Sequence, residues 1–332
     1  MRVKSNKLAL RVLSTATFLA MVSSCATAAF AGTYYMEDGS ISIVAKTDGN
    51  YITQGTTIND QKDAGETVIT NHDSETASKN TVTIKAEEGS TANVTLDNVN
   101  IDASDTGKAA VTVTGNGTTS IELDGKNTLV SDSGHAGLEK SDTYGSKPSQ
   151  NGSLTINAED PDSSLTATGG AGGAGIGGAN NKSSSNITIT GGNITATAGS
   201  NTGKGRVNCG AGIGGGAFGE GNNINITGGT VNATGGEGNS SYHFGGAGIG
   251  GGYNRGANNI TISGDDTKVT ATGKDGGAGI GGGYAGTADS ITISGGTVDA
   301  TGGSSGAGIG GGGNRYYSKG GSASSITISG DN

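Results

Sequence analysis

The sequence has no tryptophan, and phenylalanine and tyrosine make up only 4% of its 332 residues. It has two cysteines, Cys25 and Cys209, and two prolines. Because Cys25 lies in a leader-like segment, Cys209 is the single cysteine of the mature chain, which excludes a disulfide-stapled fold. After the first 31 residues no stretch approaches the ~18 apolar residues of a membrane-spanning helix. Glycine, by contrast, supplies 67 residues, a composition that alone is compatible with disorder.

The leader-like segment predicts export. Arg2, Lys4 and Lys7 form a basic region, an apolar run extends from about residue 8 to residue 22, and Ala29-Phe30-Ala31 is a small-x-small cleavage site before Gly32. We therefore predict a signal peptide over residues 1–31. The sequence VSSC, which ends at Cys25, also resembles a lipobox, so a lipid anchor on Cys25 is the alternative. In both cases we expect a secreted or surface-attached bacterial protein.

The charge of the mature chain excludes some partners. Removing residues 1–31 takes away four basic residues and no acidic one, which leaves 16 basic against 29 acidic residues, a formal net charge of −13. Such a surface repels phosphate backbones and anionic lipid headgroups. We therefore expect no nucleic-acid partner.

The order of the residues predicts a repeat. The runs NITITGGNITATAG, NINITGGTVNATGG and SITISGGTVDATGG begin at residues 186, 223 and 290. The first isoleucine of each copy falls at 187, 224, 260, 291 and 326, which gives spacings of 37, 36, 31 and 35 residues. A period of this length is typical of solenoids.

Each copy contains three short runs in which apolar residues alternate with small or polar ones. Ile187 and Ile189 would face one way in the first run, Ile194 and Ala196 in the second, and Ala211 and Ile213 in the third. Alternation with a period of two is the signature of a β-strand, and Gly-Gly pairs between the runs predict turns. Three strands per coil, stacked copy on copy, predict an all-β fold: a right-handed, single-stranded parallel β-helix.

The motif GAGIGG raises a competing interpretation, because it fits the G-x-G-x-x-G pattern of dinucleotide-binding loops. It starts at residues 173, 210, 246, 277 and 306, and no copy is followed by an amphipathic helical pattern. We therefore expect the glycines to form tight solenoid corners, on a face with few side chains that leaves backbone open to close approach.

Two columns of side chains follow from the alignment. Just before the first strand stand Asn186, Asn223, Asn259, Ser290 and Ser325. On the outer side of the second strand stand Thr168, Thr197, Thr234, Thr272 and Thr301. We interpret both columns as structural ladders along the solenoid axis.

We predict one continuous β-helix over residues 32–332. It would have an N-terminal cap near 32–50, irregular coils up to residue 152, and glycine-rich repeat coils over 153–332. The chain stops two residues after ISG, in mid-repeat. We therefore expect an exposed strand edge there and a missing C-terminal region.

Residues 80–180 also resemble a known family. The segments Leu96–Ile101 (LDNVNI), Leu123–Leu129 (LDGKNTL) and Leu154–Gly169 (LTINAEDPDSSLTATG) are similar to the secreted clostridial-type β-helix carbohydrate-binding family, whose founding member binds polygalacturonate and cellulose. The GAGIGGG repeats that follow are similar to many bacterial surface proteins. The resemblance implies extracellular polysaccharide as the ligand and Ca²⁺ as a candidate cofactor. The calcium ligands of the family do not map onto this chain residue by residue, so the metal site is left unassigned.

Signs of catalysis are sparse. The histidines His72, His135 and His243 do not have metal-ligand spacing. Two groups of acidic residues could ligate Ca²⁺ or serve only as solvated turns: Asp97, Asp102 and Asp105, and Glu159, Asp160 and Asp162. Outward strand positions carry mostly Thr, Asn and Gly rather than clustered carboxylates and bases. We therefore predict that the protein is not an enzyme.

The few aromatic residues of the repeats are concentrated after the GGG corners. With coils in register they would form a ridge along one edge, accompanied by two arginines: Phe218, Tyr253, Arg255, Tyr284, Arg315, Tyr316 and Tyr317. Aromatic faces can support pyranose rings, and arginine can pair with a uronate carboxylate. The alternative is that the rings only cover the apolar atoms of the corner.

These observations favour a non-catalytic, exported protein that binds acidic polysaccharide at the bacterial surface, such as an adhesin. A stalk or passenger of a larger surface protein, and a polysaccharide lyase or hydrolase, are the alternatives. An ice-binding surface, suggested by T-x-T at residues 166–168, 195–197 and 270–272, is interrupted by Asn232 and Asp299.

Overall fold

The alternating runs form strands whose apolar side chains point into a long common core. The structure, a computed structural model, describes residues 32–63, 65–143, 145, 147–200, 208–238, 244–314 and 319–330. The described residues belong to one compact unit, Ala31–Asn332. Its strands stack into three long, mainly parallel sheets, which confirms the predicted right-handed parallel β-helix with three strands per coil.

Sheet 1 is built from the first strand of each coil, the I-x-I run. Among the described residues it has ten strands, in stacking order Thr33–Tyr35, Thr67–Thr70, Thr91–Asp97, Thr118–Asp124, Ser153–Asn157, Ser184–Ile189, Gly221–Ile226, Ala257–Ile262, Ala288–Ile293 and Ala323–Ile328. Ile187 pairs with Ile224, which pairs with Ile260, so equivalent letters of successive copies stack.

Sheet 2 is built from the second strands. In the described part of the chain it contains Asn100–Asp102, Lys126–Val130, Ser164–Ala171, Asn193–Gly199, Thr230–Thr234, Lys268–Thr272 and Thr297–Thr301. The predicted threonine column is confirmed, because Thr168, Thr197, Thr234, Thr272 and Thr301 pair consecutively across this sheet.

Sheet 3 holds the third strands and an antiparallel extension. Its described strands are Ile58–Asp63, Gly49–Gln54, Ile41–Lys46, Val82–Ala86, Val111–Gly115, Leu138–Glu139, Ile176–Gly177, Ile213–Gly214, Ile249–Gly250, Ile280–Gly281 and Ile309–Gly310. The first three pair antiparallel with one another, so this capping arrangement reaches Asp63, beyond the predicted limit near residue 50. The described helices are two short 3₁₀ turns, Met36–Asp38 and Pro148–Gln150, and none of the described helices has the length and apolar character needed to cross a bilayer.

The asparagine column also forms a ladder. Asn186, Asn223 and Asn259 all adopt a left-handed backbone conformation, with φ of 59°, 52° and 58°, which asparagine tolerates better than most residues. Asn223 Nδ2 donates to Asn186 Oδ1 at 2.9 Å, and Asn259 Nδ2 donates to Asn223 Oδ1 at 2.9 Å. The same residue type therefore satisfies the backbone at this corner and links successive coils.

The glycines of the third face do not leave the backbone open to a ligand, which corrects the expectation from the sequence. Gly177, Gly214, Gly250 and Gly281 are buried, with φ between 130° and 133°. A Cβ on Gly214 would collide with the carbonyl oxygen of Gly250 in the next coil. The chain itself makes the close approach, so glycine is required by coil-to-coil packing.

The two ends of the solenoid differ in polarity. The strand Ile58–Asp63 ends sheet 3 with polar and charged side chains, most of them exposed. The strand Ala323–Ile328 is exposed at every residue, and Ile328 is 64% exposed. Its inward-facing isoleucines have no further described coil to pack against.

Candidate functional site

Three of the aromatic residues predicted to form a ridge, Phe218, Tyr253 and Tyr284, lie in turns that stack on one another after the third strand. The backbone N–H of Phe218 donates to the carbonyl of Tyr253 at 3.1 Å, and that of Asn254 donates to the carbonyl of Tyr284 at 2.9 Å. Phe218 thus stands one position later in its turn than Tyr253 and Tyr284 do in theirs, and its φ is 58°. Even so, the stacked turns bring the three rings to one edge.

The rings contact each other, with Tyr253 at the centre. Its ring centroid lies 5.0 Å from that of Phe218, in an edge-to-face arrangement, and 5.8 Å from that of Tyr284. Phe244 joins the cluster, 4.7 Å from Tyr253 and 5.5 Å from Tyr284. These separations fall in the range of favourable aromatic pairs.

The cluster has a buried part and an accessible part. Tyr284 is 4% exposed and Phe244 is 9% exposed, and the hydroxyl of Tyr284 donates to Asn314 Oδ1 at 2.8 Å. Phe218 and Tyr253 are half-buried. The ridge therefore offers two partly accessible rings supported by two buried ones, so Tyr284 contributes support rather than ligand-facing surface.

Arg255 lies on the same edge and is exposed. Its Nη1 donates to the carbonyl oxygen of Asn254 at 3.1 Å, a contact within its own turn that leaves other guanidinium donors pointing to solvent. The remaining predicted site residues, Arg315, Tyr316 and Tyr317, lie outside the described residues.

A long connection borders this edge on its N-terminal side. The segment that links the third strand to the next first strand has six residues at 178–183, 215–220, 251–256 and 282–287, but thirteen at 140–152 and twelve at 311–322. It includes the 3₁₀ turn Pro148–Gln150. Asn186, the first member of the asparagine ladder, holds it in place: its Nδ2 donates to the carbonyl oxygens of Pro148 at 2.7 Å and of Asn151 at 3.0 Å.

Two adjoining grooves lie on either side of this connection. Groove A, of about 300 Å³, is lined by Val113, Thr114, Gly115, Asn116, Gly117, Lys140, Ser141, Asp142, Thr143, Asn151, Gly152, Ser153 and Lys182. Groove B, of about 240 Å³, is lined by Asp142, Thr143, Gly145, Pro148, Asn181, Lys182, Ser183, Phe218, Glu220, Asn222 and Arg255. The two share Asp142, Thr143 and Lys182, and groove B reaches Phe218 and Arg255 of the predicted site. These volumes lie near the lower limit of small-molecule sites, about 300–1,000 Å³.

A buried ion pair stands between the grooves. Lys140 Nζ lies 3.1 Å from Asp142 Oδ1, and the two side chains are 5% and 7% exposed. The same Asp142 oxygen accepts hydrogen bonds from the backbone N–H of Ser185 at 3.2 Å and from its hydroxyl at 3.0 Å. Burial lowers the pKa of Lys140, and the attraction of Asp142 offsets part of that effect.

Acidic residues considered as calcium ligands are engaged in local contacts. Asp102 Oδ1 accepts from the backbone N–H of Ser104 at 3.1 Å, and the Ser104 side-chain and backbone hydrogen bonds lower the Asp102 pKa. Asp105 pairs with Lys79, and Asp160 Oδ1 accepts from the N–H of Asp162 at 3.0 Å. Within the described ranges, no group of three or more His, Cys, Asp or Glu side chains is arranged to hold a metal ion.

The described histidines have structural partners. His72 stacks on Tyr35 with ring centroids 3.8 Å apart. His135 Nδ1 lies 2.8 Å from Glu139 Oε2, an oxygen that also accepts from the backbone N–H of Ala136 at 3.3 Å. His243 lies outside the described residues.

Comparison with known families agrees with the fold. Four segments match the family model described as a beta helix repeat: residues 187–217, 224–253, 260–284 and 291–313. The four matched coils are similar to this repeat, in agreement with the parallel β-helix fold of the structure. Each match begins at the first isoleucine of a coil and ends in the turn that follows the third strand, so the repeat model covers the strands but not the connection 140–152. No curated protein and no solved structure matches the chain significantly.

Sequence reasoning missed groove A and the pair Lys140–Asp142. The available signal was the length of the polar segment SDTYGSKPSQNG between two strand patterns, twice that of each of the four connections that follow it. A long insertion in a solenoid marks the face where a binding loop is added. The sequence could not show that Lys140 would be buried, because its surroundings include residues 113–117 and Lys182 of the neighbouring coils, which lie 23 to 42 positions away along the chain.

Proposed function

We propose that this solenoid is an exported, non-catalytic protein that binds acidic polysaccharide at the bacterial surface or as an adhesin. The observation that carries the proposal is the edge formed by Phe218, Tyr253 and Arg255. Two partly accessible rings, fixed by buried aromatic neighbours, stand beside a guanidinium at the margin of groove B. Rigid aromatic surface lowers the entropic cost of binding, and a guanidinium can pair with a uronate carboxylate through two hydrogen bonds.

The test is the affinity of the purified chain, residues 32–332, for pectate fragments, measured by calorimetry. We expect Tyr253→Ala to weaken binding by about tenfold or more, because the exposed ring at the centre of the cluster is lost. Tyr51→Ala is the matched control, since Tyr51 is also half-buried but lies on the N-terminal antiparallel extension. Equal affinities for the wild type and Tyr253→Ala would remove the aromatic edge from the proposal.

The same purified protein also tests the two alternative functions, a polysaccharide lyase and a purely structural stalk. A polysaccharide lyase would release unsaturated product from pectate, which ultraviolet absorbance would detect, whereas we expect none. A purely structural stalk would bind no member of a glycan array. The continuous stacking of the three sheets supports this second candidate, because it makes an extended, rigid rod.

Export itself is tested by the mass of the mature protein. Signal cleavage after Ala31 gives a chain that begins at Gly32, and a lipoprotein gives a lipid-modified Cys25. A cell-associated chain that keeps residues 1–31 unmodified would exclude both routes.

A further inference from the structure

Groove A contains a lysine whose hydrogen-bonding capacity is only partly used. An ammonium group has three N–H donors and no acceptor. Asp142 takes one of them, and it is the only hydrogen-bond partner of Lys140 Nζ that the described residues provide. Lys140 is 4% exposed, yet it lines the groove. An occupant of the groove would therefore supply the acceptors that this buried ammonium lacks.

The charge around groove A is opposite to that of the whole molecule. Its lining contains two cationic side chains, Lys140 and Lys182, and one anionic side chain, Asp142. The local balance is +1, in a protein with a formal net charge of −9. Because Asp142 already accepts three hydrogen bonds, its carboxylate is held by Ser185 as well as by Lys140. The excess positive charge indicates an anionic occupant.

The rest of the lining is suited to a polyhydroxylated molecule. Asn116, Thr143, Asn151 and Ser153 bring amide and hydroxyl groups to the groove. The Asn151 amide and the Ser153 hydroxyl also bond within the protein, and each such group has further capacity to donate to or accept from sugar hydroxyls. The wall that contains Asn151 is fixed by the amide of Asn186, so the groove is formed before any ligand enters. A preformed groove avoids the cost of ordering a loop on binding.

We infer that groove A is a subsite for the carboxylate of an acidic sugar unit, which Lys140 and Lys182 bind together. This inference rests on the proposed function and extends it, because groove A adjoins groove B through Lys182 and Asp142. A polymer that crosses Phe218 and Arg255 in groove B continues into groove A. The aromatic edge then supplies general affinity for sugar rings, and the lysines distinguish uronate from neutral sugar.

The experiment compares two ligands that differ only at the carboxylates: trigalacturonate and the same trisaccharide with its carboxyl groups reduced. Lys182→Gln is the first variant, because Lys182 is exposed and its replacement leaves the core intact. We expect it to weaken trigalacturonate about tenfold, the loss of one charge-assisted contact, and to change the affinity for the reduced trisaccharide less than about twofold. Lys268→Gln, an exposed lysine on sheet 2, is the control and should change neither affinity.

A second variant tests the buried lysine. Lys140→Met keeps an unbranched side chain as far as Cε and removes the ammonium, and circular dichroism establishes whether it folds. If it folds, the same selective loss for trigalacturonate is expected. If it does not fold, nuclear magnetic resonance of the wild type with galacturonate decides, because the subsite requires shifts at residues 113–117 and 140–153.

The outcomes distinguish polysaccharide binding in general from the carboxylate subsite in groove A. If the wild type binds neither trisaccharide, the proposed function fails and the subsite fails with it. If the wild type binds both and Lys182→Gln weakens both equally or neither, the subsite is refuted while polysaccharide binding stands. Only a selective loss of the uronate ligand supports the carboxylate subsite.

Discussion

The irregular coils before residue 158 and the glycine-rich coils after residue 183 build the same solenoid in different ways. In the first irregular coils the third strand is long, as in Val82–Ala86 and Val111–Gly115, and its side chains fill the core, although it is already two residues long at Leu138–Glu139. In the repeat coils it shrinks to two residues, as in Ile213–Gly214, and backbone from successive coils meets directly. A coil can therefore be closed by side chains that fill it or by glycines that make it smaller.

The difference extends to polar groups. In the irregular region the buried Asn127 satisfies backbone groups: its Oδ1 accepts from the N–H of Val99 at 2.9 Å, and its Nδ2 donates to the carbonyls of Asp124 and Ser164 at 3.2 Å. In the repeats Asn223 bonds to the asparagines of the neighbouring coils. In the irregular region a single side chain bonds backbone groups of its own coil and of both neighbouring coils, whereas in the repeats side chains at equivalent positions bond one another along the axis.

The largest expected effect is on a glycine between coils. Gly214→Ala should lower the free energy of unfolding by roughly 2–6 kcal/mol, because a Cβ at φ 130° is strained and collides with the Gly250 carbonyl. Gly89→Ala, in the irregular region, should cost only about 1 kcal/mol, since φ is 75° but nothing lies within 4 Å of its Cβ. Urea unfolding of both variants provides the comparison. If both variants lose the same free energy of unfolding, strain at positive φ is enough to explain why glycine is needed. Contact between coils would then contribute nothing.

The second-largest effect concerns the free energy of unfolding at alkaline pH, where one buried group in each region titrates. Burial raises the pKa of Cys209 in the repeats from 9.0 to about 12, and burial with Asp63 raises that of Tyr34 near the N-terminal cap from 10.0 to about 12. Each folded state holds its proton longer than the unfolded chain does. The stabilisation is therefore complete below pH 9 for Cys209 and below pH 10 for Tyr34, and is lost as the pH rises towards 12.

At pH 11 the loss amounts to about 3 kcal/mol from Cys209 and about 1 kcal/mol from Tyr34. We expect Cys209→Ala to flatten the fall in stability between pH 9 and pH 11, and Tyr34→Phe to have a smaller effect. Both variants keep Lys140, so its own titration cancels in the comparison. If Cys209→Ala follows the wild-type pH profile, the thiol is not held protonated by burial.

The smallest expected effect on stability comes from comparing the buried Asn127 of the irregular region with Asn223 of the asparagine ladder. Asn127→Ala should cost about 2–3 kcal/mol, because it leaves the buried N–H of Val99 without its acceptor. Asn223→Gly keeps the left-handed backbone and removes two part-exposed amide bonds, so about 1 kcal/mol is expected. Chemical denaturation measures both, with Asn223→Ala reporting the added backbone strain. A larger loss for Asn223→Gly than for Asn127→Ala would reverse our ranking of the two regions.

Most of the fold could be predicted, but only part of the candidate site. Ile187, Ile194 and Ile213 were correctly assigned to three inward-facing strands, because alternation along a strand is a local property of the sequence. The stacking of the turns that carry Phe218 and Tyr253 follows from the coil period, although the two residues stand one position apart in those turns. The burial of Tyr284 does not, because it depends on Phe244 in a connection of different length and on Asn314 in the next coil.

The sequence by itself determined the three-strand coil, the register of the columns and the edge on which the aromatic residues gather, since each follows from a period that repeats along the chain. Only the tertiary structure decided which glycines the chain itself covers, which aromatic rings stay accessible, and that Lys140 and Asp142 form a buried pair between the two grooves. The physical reason is the separation along the sequence of the residues that encode each feature. Periodicity is encoded in neighbouring residues, whereas burial and the grooves depend on contacts between coils whose connections differ in length.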